Sequence, residues 1–505
     1  MNRDDMIRLI EDPDLLWDII VIGGGASGLG IALEAVTRGY KTLLVEQCDF
    51  SKGTSGRSTK LIHGGVRYLA QGNISLVMKA LRERGILKRN APHLVKDLPF
   101  VIPCYRWWEV IIYTAGLTFY DLLAGRLGIG RSIPLSRSRA IRLLPSVKTG
   151  KLRGGLIYHD CQFDDSRLAV NICRSFHEHG GVPINYMQVK GLLKQEGIIN
   201  GVRALDRETG RTYLLRSKQV VNATGVFVND VIKLDDPDSR DIVVPSQGIH
   251  LVVDSKFLNG KNALMIPKTN DGRILFAVPW HNRVIIGTTD VEKNTAELEP
   301  RATEDEIEYI LETAGRFFEH PPKREDVTSV FAGLRPLAAP ASEGKKTKEI
   351  SRGHKIIISG SGLVSLTGGK WTTYRKIGED VINRIEKSSG WPATKSVTEH
   401  LKIYGYADHL IKKIIDESPS MGQYISKMLN IPGAQVILAV RHEMARTVED
   451  VLARRTLALQ LDALESIRMA PEVAELMAKE MGMDRRWKEA QIEEFTNLAK
   501  GYLLN

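Results

Sequence analysis

Residues 18–47 read DIIVIGGGASGLGIALEAVTRGYKTLLVEQ, and this stretch limits the folds open to the chain more than any other. An apolar, β-branched run is followed by a glycine turn, an alanine-rich helical segment and a second apolar run, the order of a βαβ unit. A parallel sheet with a crossover helix follows from it, and hence an α/β domain. Gly23, Gly25 and Gly28 form GxGxxG between strand and helix. The first glycine permits the turn, the second lets a pyrophosphate approach the backbone, and the third lets helix and strand pack closely. The helix N-terminus then turns its partial positive charge toward the phosphates. Glu46 ends the second strand, placed to accept from a ribose 2′-hydroxyl, so the unit predicts FAD or NAD rather than a 2′-phosphorylated nucleotide.

Two further glycine segments separate the two cofactors. VVNATG, Val220 to Gly225, follows a predicted β-meander and resembles the second FAD-contacting segment of glutathione-reductase-like flavoproteins. SLTGGKWTTYRK, from Ser365, carries Gly368 and Gly369, whose backbone amides can meet a flavin edge. Three spaced segments predict FAD. A chain of 505 residues exceeds one hydrophobic core and predicts two or three domains. Strand-like runs VPINY, IINGVRAL and TYLLRS lie between 181 and 225; IHLVVD, ALMIP, RILFAVPW and RVIIG, between 249 and 287, predict a separate antiparallel sheet. Thr303 with Glu306 predicts a capping box. Beyond about Ser388 apolar residues recur at helical spacing, as in Val448, Val451, Leu452 and Val473, Leu476, Met477, and the charges there read mainly as solvated helix faces. The expected architecture is an α/β, glutathione-reductase-like and D-amino-acid-oxidase-like FAD-binding domain (18–88, 150–245 and 330–387), an antiparallel-sheet substrate domain (89–149 and 246–329) and an all-α C-terminal domain (388–505).

Between the first two glycine segments stands STKLIHGGVRYL, Ser58 to Leu69, dense in donors and small residues. KLIHGG, GLRPL and GGKWTTYRK, in this order behind the N-terminal fingerprint, resemble the FAD-dependent glycerol-3-phosphate dehydrogenases. The likeness runs on through AVRHEMARTVEDVLARRT to the C-terminus. The resemblance implies oxidation of sn-glycerol 3-phosphate to dihydroxyacetone phosphate, with hydride passing to flavin N5 and electrons leaving to a membrane quinone. It assigns Arg67, Tyr68, His250, Arg335 and Lys370 to the substrate, and Thr54, Ser55, His63, Gly64, Gly225, Gly369, Lys370 and Thr372 to the cofactor, beside Gly23, Gly25, Gly28 and Glu46. Arginine suits a phosphate because its fork gives paired charge-assisted hydrogen bonds. A proton must leave the carbinol as hydride leaves its carbon, and histidine titrates nearest neutrality. His250 is read as the base and His63 as a residue beside the flavin, the reverse staying open. Arg335 and Lys370 can also stabilise a developing alkoxide. Trp371, Val226 and Phe227 depart from the commonest family pattern at the flavin wall, and the absence of cysteine after Cys173 argues against the branch with a cysteine-rich extension. An α-glycerophosphate oxidase or a flavin-dependent amino-acid or amine oxidase are the rival readings.

The net charge of +10 suits an anionic substrate or the anionic face of a membrane, and no basic stretch interleaved with aromatics marks an RNA-binding module. WWEVIIYTAGLTFYDLLAG, from Trp107, is interrupted by Glu109 and Asp121 and reads either as an interfacial helix, with Arg106 and Arg126 beside it, or as a buried core helix. The four cysteines form no CxxC and no cluster, so no metal site is expected and a reducing cytoplasm fits. The acidic N-terminus lacks the apolar core of a signal peptide. The expected location is cytoplasmic, peripheral on the inner face of the cell membrane; a homodimer is left open.

Overall fold

The computed structural model describes residues 1–69, 72–267, 269, 274–339, 353–405 and 408–504, the side chain of Arg67 lying outside the described set. Its first sheet grows from the βαβ unit. Leu16–Ile22 pairs in parallel with Thr42–Val45 on one side and Thr212–Asn222 on the other, and Val182–Ile184 and Val364–Thr367 extend the parallel core. Ile19, Ile20 and Val21 are fully buried, as a central strand covered on both faces requires. Met187–Gln195 and Ile198–Asp206 hang from Thr212–Asn222 as an antiparallel meander.

Ala26–Thr37 lies against both Asp165–Glu178 and Tyr374–Ser389. The second crossing needs glycine on both helices. A Cβ on Gly30 would stand 2.5 Å from Tyr374 O, and one on Gly378 would stand 2.4 Å from Gly30 O. This approach carries the third glycine segment to the first: a Cβ on Gly369 would lie 3.6 Å from Ser27 Oγ.

The second sheet runs Val291–Glu292, Val243–Asp254, Arg283–Gly287, Leu275–Trp280, Ala263–Ile266, Val95–Cys104, Gly154–Phe163, Leu61–Ile62, with Val327–Ala338 on Val243–Asp254 and Ile133–Ser136 on Gly154–Phe163. All its pairs are antiparallel except Ala263–Ile266 with Val95–Cys104. The strands read from 249 to 287 are therefore here, although Arg273, the first residue of RILFAVPW, lies outside the described residues. Leu61–Ile62, Gly154–Phe163 and Val327–Ala338 also belong to this sheet, whereas the sequence-based boundaries gave the first two, and the third from residue 330 onward, to the FAD-binding domain. Strand periodicity reports which face is buried, not which sheet a strand joins.

The C-terminal domain is built on Asp408–Glu417, Gly433–Glu443, Ala463–Met481 and Arg485–Lys500, with a π-helical turn at Asp450–Arg455 and a small ribbon of Tyr424–Ser426 with Ile431–Pro432. Its apolar face, including Val448, Leu452, Val473 and Met477, packs on Val252, Trp280, Ile285 and Phe331 of the second sheet. The domain thus backs the wall that carries His250.

Trp107–Ala124 is a helix lying along the surface of the second sheet's domain. Leu117, Tyr120 and Ala124 face inward, while Trp107 is 71% and Leu122 72% exposed, with Ile111 and Ile112 also outside. The buried-core reading therefore fails, because only one stripe of an almost uniformly apolar helix is covered. Among the described residues, Trp107–Leu127 is the one helix long and apolar enough to cross a membrane, with a mean hydropathy of 1.2.

Candidate active site

At the first glycine segment the backbone leaves little room for side chains. Gly23 adopts φ +110°, and a Cβ on Gly28 would lie 1.9 Å from Gly23 O, so helix and strand meet at a distance only glycine permits. Gly25 is the N-cap of Ala26–Thr37 and donates no side chain, leaving the helix N-terminus open to a ligand. Ala26 N is held by Ser55 Oγ at 2.9 Å, and Thr54 Oγ1 donates to Leu334 O at 2.5 Å, tying this loop to the second sheet. Glu46 accepts from Gly24 N at 2.6 Å and Cys48 N at 2.9 Å. Burial pushes its carboxyl up, and those two amide donors oppose the shift. Each oxygen keeps a second lone pair for a ribose hydroxyl.

A cavity of about 820 Å³ runs from this turn to the face of the second sheet. Gly23, Gly25, Glu46, Thr54, Ser55, Gly225, Gly369 and Thr372 line it, and so do His63, Tyr68, His250, Arg335 and Lys370. Gly28 packs beneath the turn. Of the twin glycines after His63, Gly65 lines the cavity. Gly64 faces away: its amide donates to Asp160 Oδ1 at 3.1 Å, and a Cβ there would stand 2.3 Å from Leu81 and 2.4 Å from Tyr120. Arg67 sits in the helical turn Val66–Leu69, but its side chain lies outside the described residues. Trp371 donates its indole N–H to Ser55 O at 2.8 Å and meets Phe163 edge-on, so the departure from the family pattern ties the third segment to the first.

His250 and Gly248 share one face of Val243–Asp254, as alternate residues of a strand do. The Arg335 guanidinium lies over Gly248: a Cβ there would stand 2.2 Å from Nη2. Arg335 Nη1 donates to Gln247 O at 3.2 Å and Nη2 to Thr288 Oγ1 at 3.1 Å and Thr289 O at 3.0 Å. His250 is 2% exposed, stacked on Phe331 with centroids 4.8 Å apart, and its Nε2 lies 2.9 Å from Thr59 Oγ1. Burial first, then the positive charges of Arg335 and Lys60, hold its pKa well below the usual value, so the imidazole is neutral. Lys370 Nζ stands 3.9 Å from the centroid of the Tyr68 ring, a cation–π contact. Thr372 Oγ1 donates to His63 O at 3.3 Å. The fold thus brings a buried imidazole beside the Arg335 guanidinium, and lines the same cavity with a second cation, Lys370, and with the glycine turn that suits a dinucleotide.

Residues 18–375 match the family described as FAD dependent oxidoreductase, and residues 354–490 match the C-terminal domain of alpha-glycerophosphate oxidase. The chain is 37% identical, over 94% of its length, to the mitochondrial glycerol-3-phosphate dehydrogenase of Bos taurus, and covers 72% of that protein. The chain belongs to the FAD-dependent glycerol-3-phosphate dehydrogenase family. The Arabidopsis thaliana mitochondrial member is 35% identical over 96% of this chain and 86% of that protein. The glycerol-3-phosphate dehydrogenase of Bacillus halodurans, solved with FAD, superimposes with a TM-score of 0.79 at 28% identity, covering 99% of this chain and 97% of that one. The L-alpha-glycerophosphate oxidase of Mycoplasma pneumoniae shares the fold at a TM-score of 0.60 and 17% identity, over 78% of this chain and 99% of that one.

In this dehydrogenase the cofactor is FAD, and the cavity fits it: the glycine turn at a helix N-terminus suits the pyrophosphate, Glu46 the ribose, and Gly368 and Gly369, at φ +70° and +106°, a flat ring system. Several residues at the site escape a reading of the sequence. Asp165, fully buried, accepts from Ser58 and Lys60 on either side of Thr59. Asp49, just after Glu46, is bound by Arg454 Nε at 2.5 Å and Arg455 Nη1 at 2.6 Å from the C-terminal domain. Burial would raise the Asp49 carboxyl, but Arg455 and Arg454 outweigh it and hold it at about 2. The charges of Arg454 and Arg455 are therefore buried clamps, not part of a solvated face. No local signal separates the two cases, because the partner is some 400 residues away, as the separations of 405 and 406 show.

Proposed function

We propose that this chain oxidises sn-glycerol 3-phosphate to dihydroxyacetone phosphate and passes the electrons to a membrane quinone. One observation carries the reading: buried His250 and the Arg335 guanidinium, which lies over Gly248, meet on one face of Val243–Asp254 and both line the cavity that fits FAD. Bound FAD supplies the hydride acceptor, at N5, for the hydrogen on C2. Arg335 and Lys370 hold the phosphate dianion, with Tyr68 beneath Lys370; Arg67 is assigned to the same pocket by resemblance. His250 is the base that ends up protonated when the carbinol loses its proton. Arg335 and Lys60 disfavour an imidazolium here, and a dianion paired with Arg335 offsets that charge, so His250 becomes a competent base when the phosphate is in place. Two cations suit a dianion better than the single carboxylate of an amino acid. His63 stands on the cofactor side, its carbonyl fixed by Thr372.

The exposed apolar face of Trp107–Ala124, with Arg106 and Arg126 at its ends, supports peripheral attachment to an anionic leaflet on the cytoplasmic side, to which each basic residue contributes about 1 kcal/mol. Leu117, Val110 and Tyr113 of that helix share an apolar cluster with Phe100, Tyr158, Met265 and Phe276, which line the cavity, and this supports a lipid-side approach for the quinone. Discharge to oxygen is the second reading, favoured by the match of residues 354–490. Turnover of glycerol 3-phosphate by the purified protein on anionic vesicles, with a short-chain quinone or oxygen as acceptor, separates the two. Quinone reduction should dominate; peroxide formation at an equal rate would favour the oxidase, and no turnover with either acceptor would remove both.

A further inference from the structure

The proposed chemistry needs a group that can receive the carbinol proton at the wall of the cavity, and the hydrogen bonds of His250 point to one. His250 Nδ1 is buried and has no hydrogen-bond partner among the described residues, whereas Nε2 lies 2.9 Å from Thr59 Oγ1. The ring has little freedom to turn: Phe331 is stacked on it at an interplanar angle of 20°, and the Cβ position of Gly287 lies 2.5 Å from Cδ2. Proton traffic at this histidine therefore passes through Nε2, and Nε2 already faces the threonine hydroxyl.

Thr59 is held from both sides. Ser58 donates from N and Oγ to Asp165 Oδ2 at 3.0 and 2.7 Å, and Lys60 donates from Nζ to Asp165 Oδ1 and Oδ2 at 2.7 and 2.8 Å. Lys60 N further donates to Ser58 Oγ at 3.1 Å, and Lys60 adopts φ +61°, a left-handed conformation that a lysine keeps only where its surroundings fix it. Ser58 and Thr59 both line the cavity, but with the Ser58 hydroxyl and the Lys60 ammonium engaged by Asp165, the Thr59 hydroxyl is the one that meets the imidazole. A hydroxyl donates and accepts at once, which no aliphatic side chain of its shape can do.

We propose that Thr59 is a catalytic residue, relaying the carbinol proton to His250; the inference rests on the glycerol phosphate reading above. The C2 hydroxyl O–H bond breaks and its proton goes to Thr59 Oγ1. The original Thr59 Oγ1–H bond breaks and that proton goes to His250 Nε2. The C2–H electron pair leaves as hydride to the oxidised cofactor. A ketone, an unchanged threonine and an imidazolium remain, and the substrate has lost two electrons and two hydrogens.

The test uses the FAD-loaded protein and the variants Thr59→Val, of the same shape, and Thr59→Ser, which restores the hydroxyl. Three quantities are measured: anaerobic flavin reduction at saturating glycerol 3-phosphate, the dissociation constant of dihydroxyacetone phosphate from the change in flavin absorbance, and the thermal midpoint. Valine should slow reduction by about 100-fold or more, within the range of general acid–base effects, and serine should recover it to within about tenfold. Product binding should stay within about threefold and the midpoint should not move, which separates a relay from a packing role. Reduction by Thr59→Val within about threefold of wild type would overturn the relay, as would a serine variant as slow as valine, or a loss confined to product binding. Should the valine variant fail to fold, the solvent deuterium dependence of wild-type reduction decides: two protons in flight give a curved dependence, and a linear one rejects the relay. A wild-type flavin that glycerol 3-phosphate does not reduce removes the underlying reading and the relay together.

Discussion

Replacing Arg335 with methionine keeps most of its length and removes its charge and its donors. In the protein this guanidinium is fixed by Gln247 O, Thr288 Oγ1 and Thr289 O at 3.0 to 3.2 Å, with Asp290 at 3.4 Å, so it is positioned before any ligand arrives. Two charge-assisted hydrogen bonds to a phosphate contribute about 1.5–3 kcal/mol each, about 3–6 kcal/mol together. At about 1.4 kcal/mol per factor of ten, that is a 10²- to 10⁴-fold weaker complex. The side chain is 26% exposed toward the cavity, and solvent screening discounts the upper end, leaving about 10²- to 10³-fold. A second effect follows from the first. Burial is the main depressor of the His250 pKa and Arg335 the next, so the substitution lets that pKa rise toward its ordinary value. Because the base acts when neutral, the acid limb of kcat/KM should move to higher pH. Titration of the oxidised, yellow variant with dihydroxyacetone phosphate reads the first effect and anaerobic stopped-flow reduction across pH reads the second. Binding within about fivefold of wild type, with an unmoved limb, would refute the placement of Arg335 at the phosphate.

Gly28→Ala places a Cβ 1.9 Å from Gly23 O, with backbone on both sides, and should yield a protein that purifies largely without flavin; the absorbance ratio of flavin to protein checks it. Asp165→Asn leaves the buried Lys60 ammonium without its counter-charge and should destabilise the protein by about 3–5 kcal/mol, read by denaturant unfolding. His250 has a folded pKa below its unfolded value near 6.5, so its contribution to stability is complete above that pH and lost as pH falls; His250→Gln should therefore lose less stability between pH 7 and pH 5, by up to about 1.4 kcal/mol per pH unit. Changing Trp107, Ile111 and Leu122 together to serine should abolish sedimentation with anionic vesicles while leaving reduction of the flavin by substrate intact, since all three side chains are exposed.

Local chemistry was the legible part of this chain. The glycine spacing named the strand–turn–helix and its ligand class, and the Thr303–Glu306 pair does form the capping box that begins Glu304–Phe317. The antiparallel strands between 249 and 287 were visible as apolar runs between turn signals, and the residues that resemblance assigned to substrate and cofactor mostly line one cavity. What stayed hidden depends on contacts between distant segments. Leu61–Ile62 and Val327–Ala338 join the second sheet because of partners elsewhere in the chain. Which of Gly64 and Gly65 meets the cavity turns on Leu81 and Tyr120, and the burial of Arg454 and Arg455 turns on Asp49. The helix at Trp107 was ambiguous for a related reason: an almost uniformly apolar segment carries no periodicity from which its covered face can be read.

In the proposed reaction Arg335 and Lys370 hold a phosphate dianion so that His250 can serve as base for the neighbouring carbinol at the FAD site. Anaerobic titration of the yellow protein decides whether that reaction occurs: a stoichiometric amount of sn-glycerol 3-phosphate should bleach the flavin and yield an equal amount of dihydroxyacetone phosphate, while glycerol at the same concentration leaves the colour unchanged. A flavin that stays oxidised, or that glycerol bleaches as readily, would rule out recognition of the phosphate by Arg335 and Lys370.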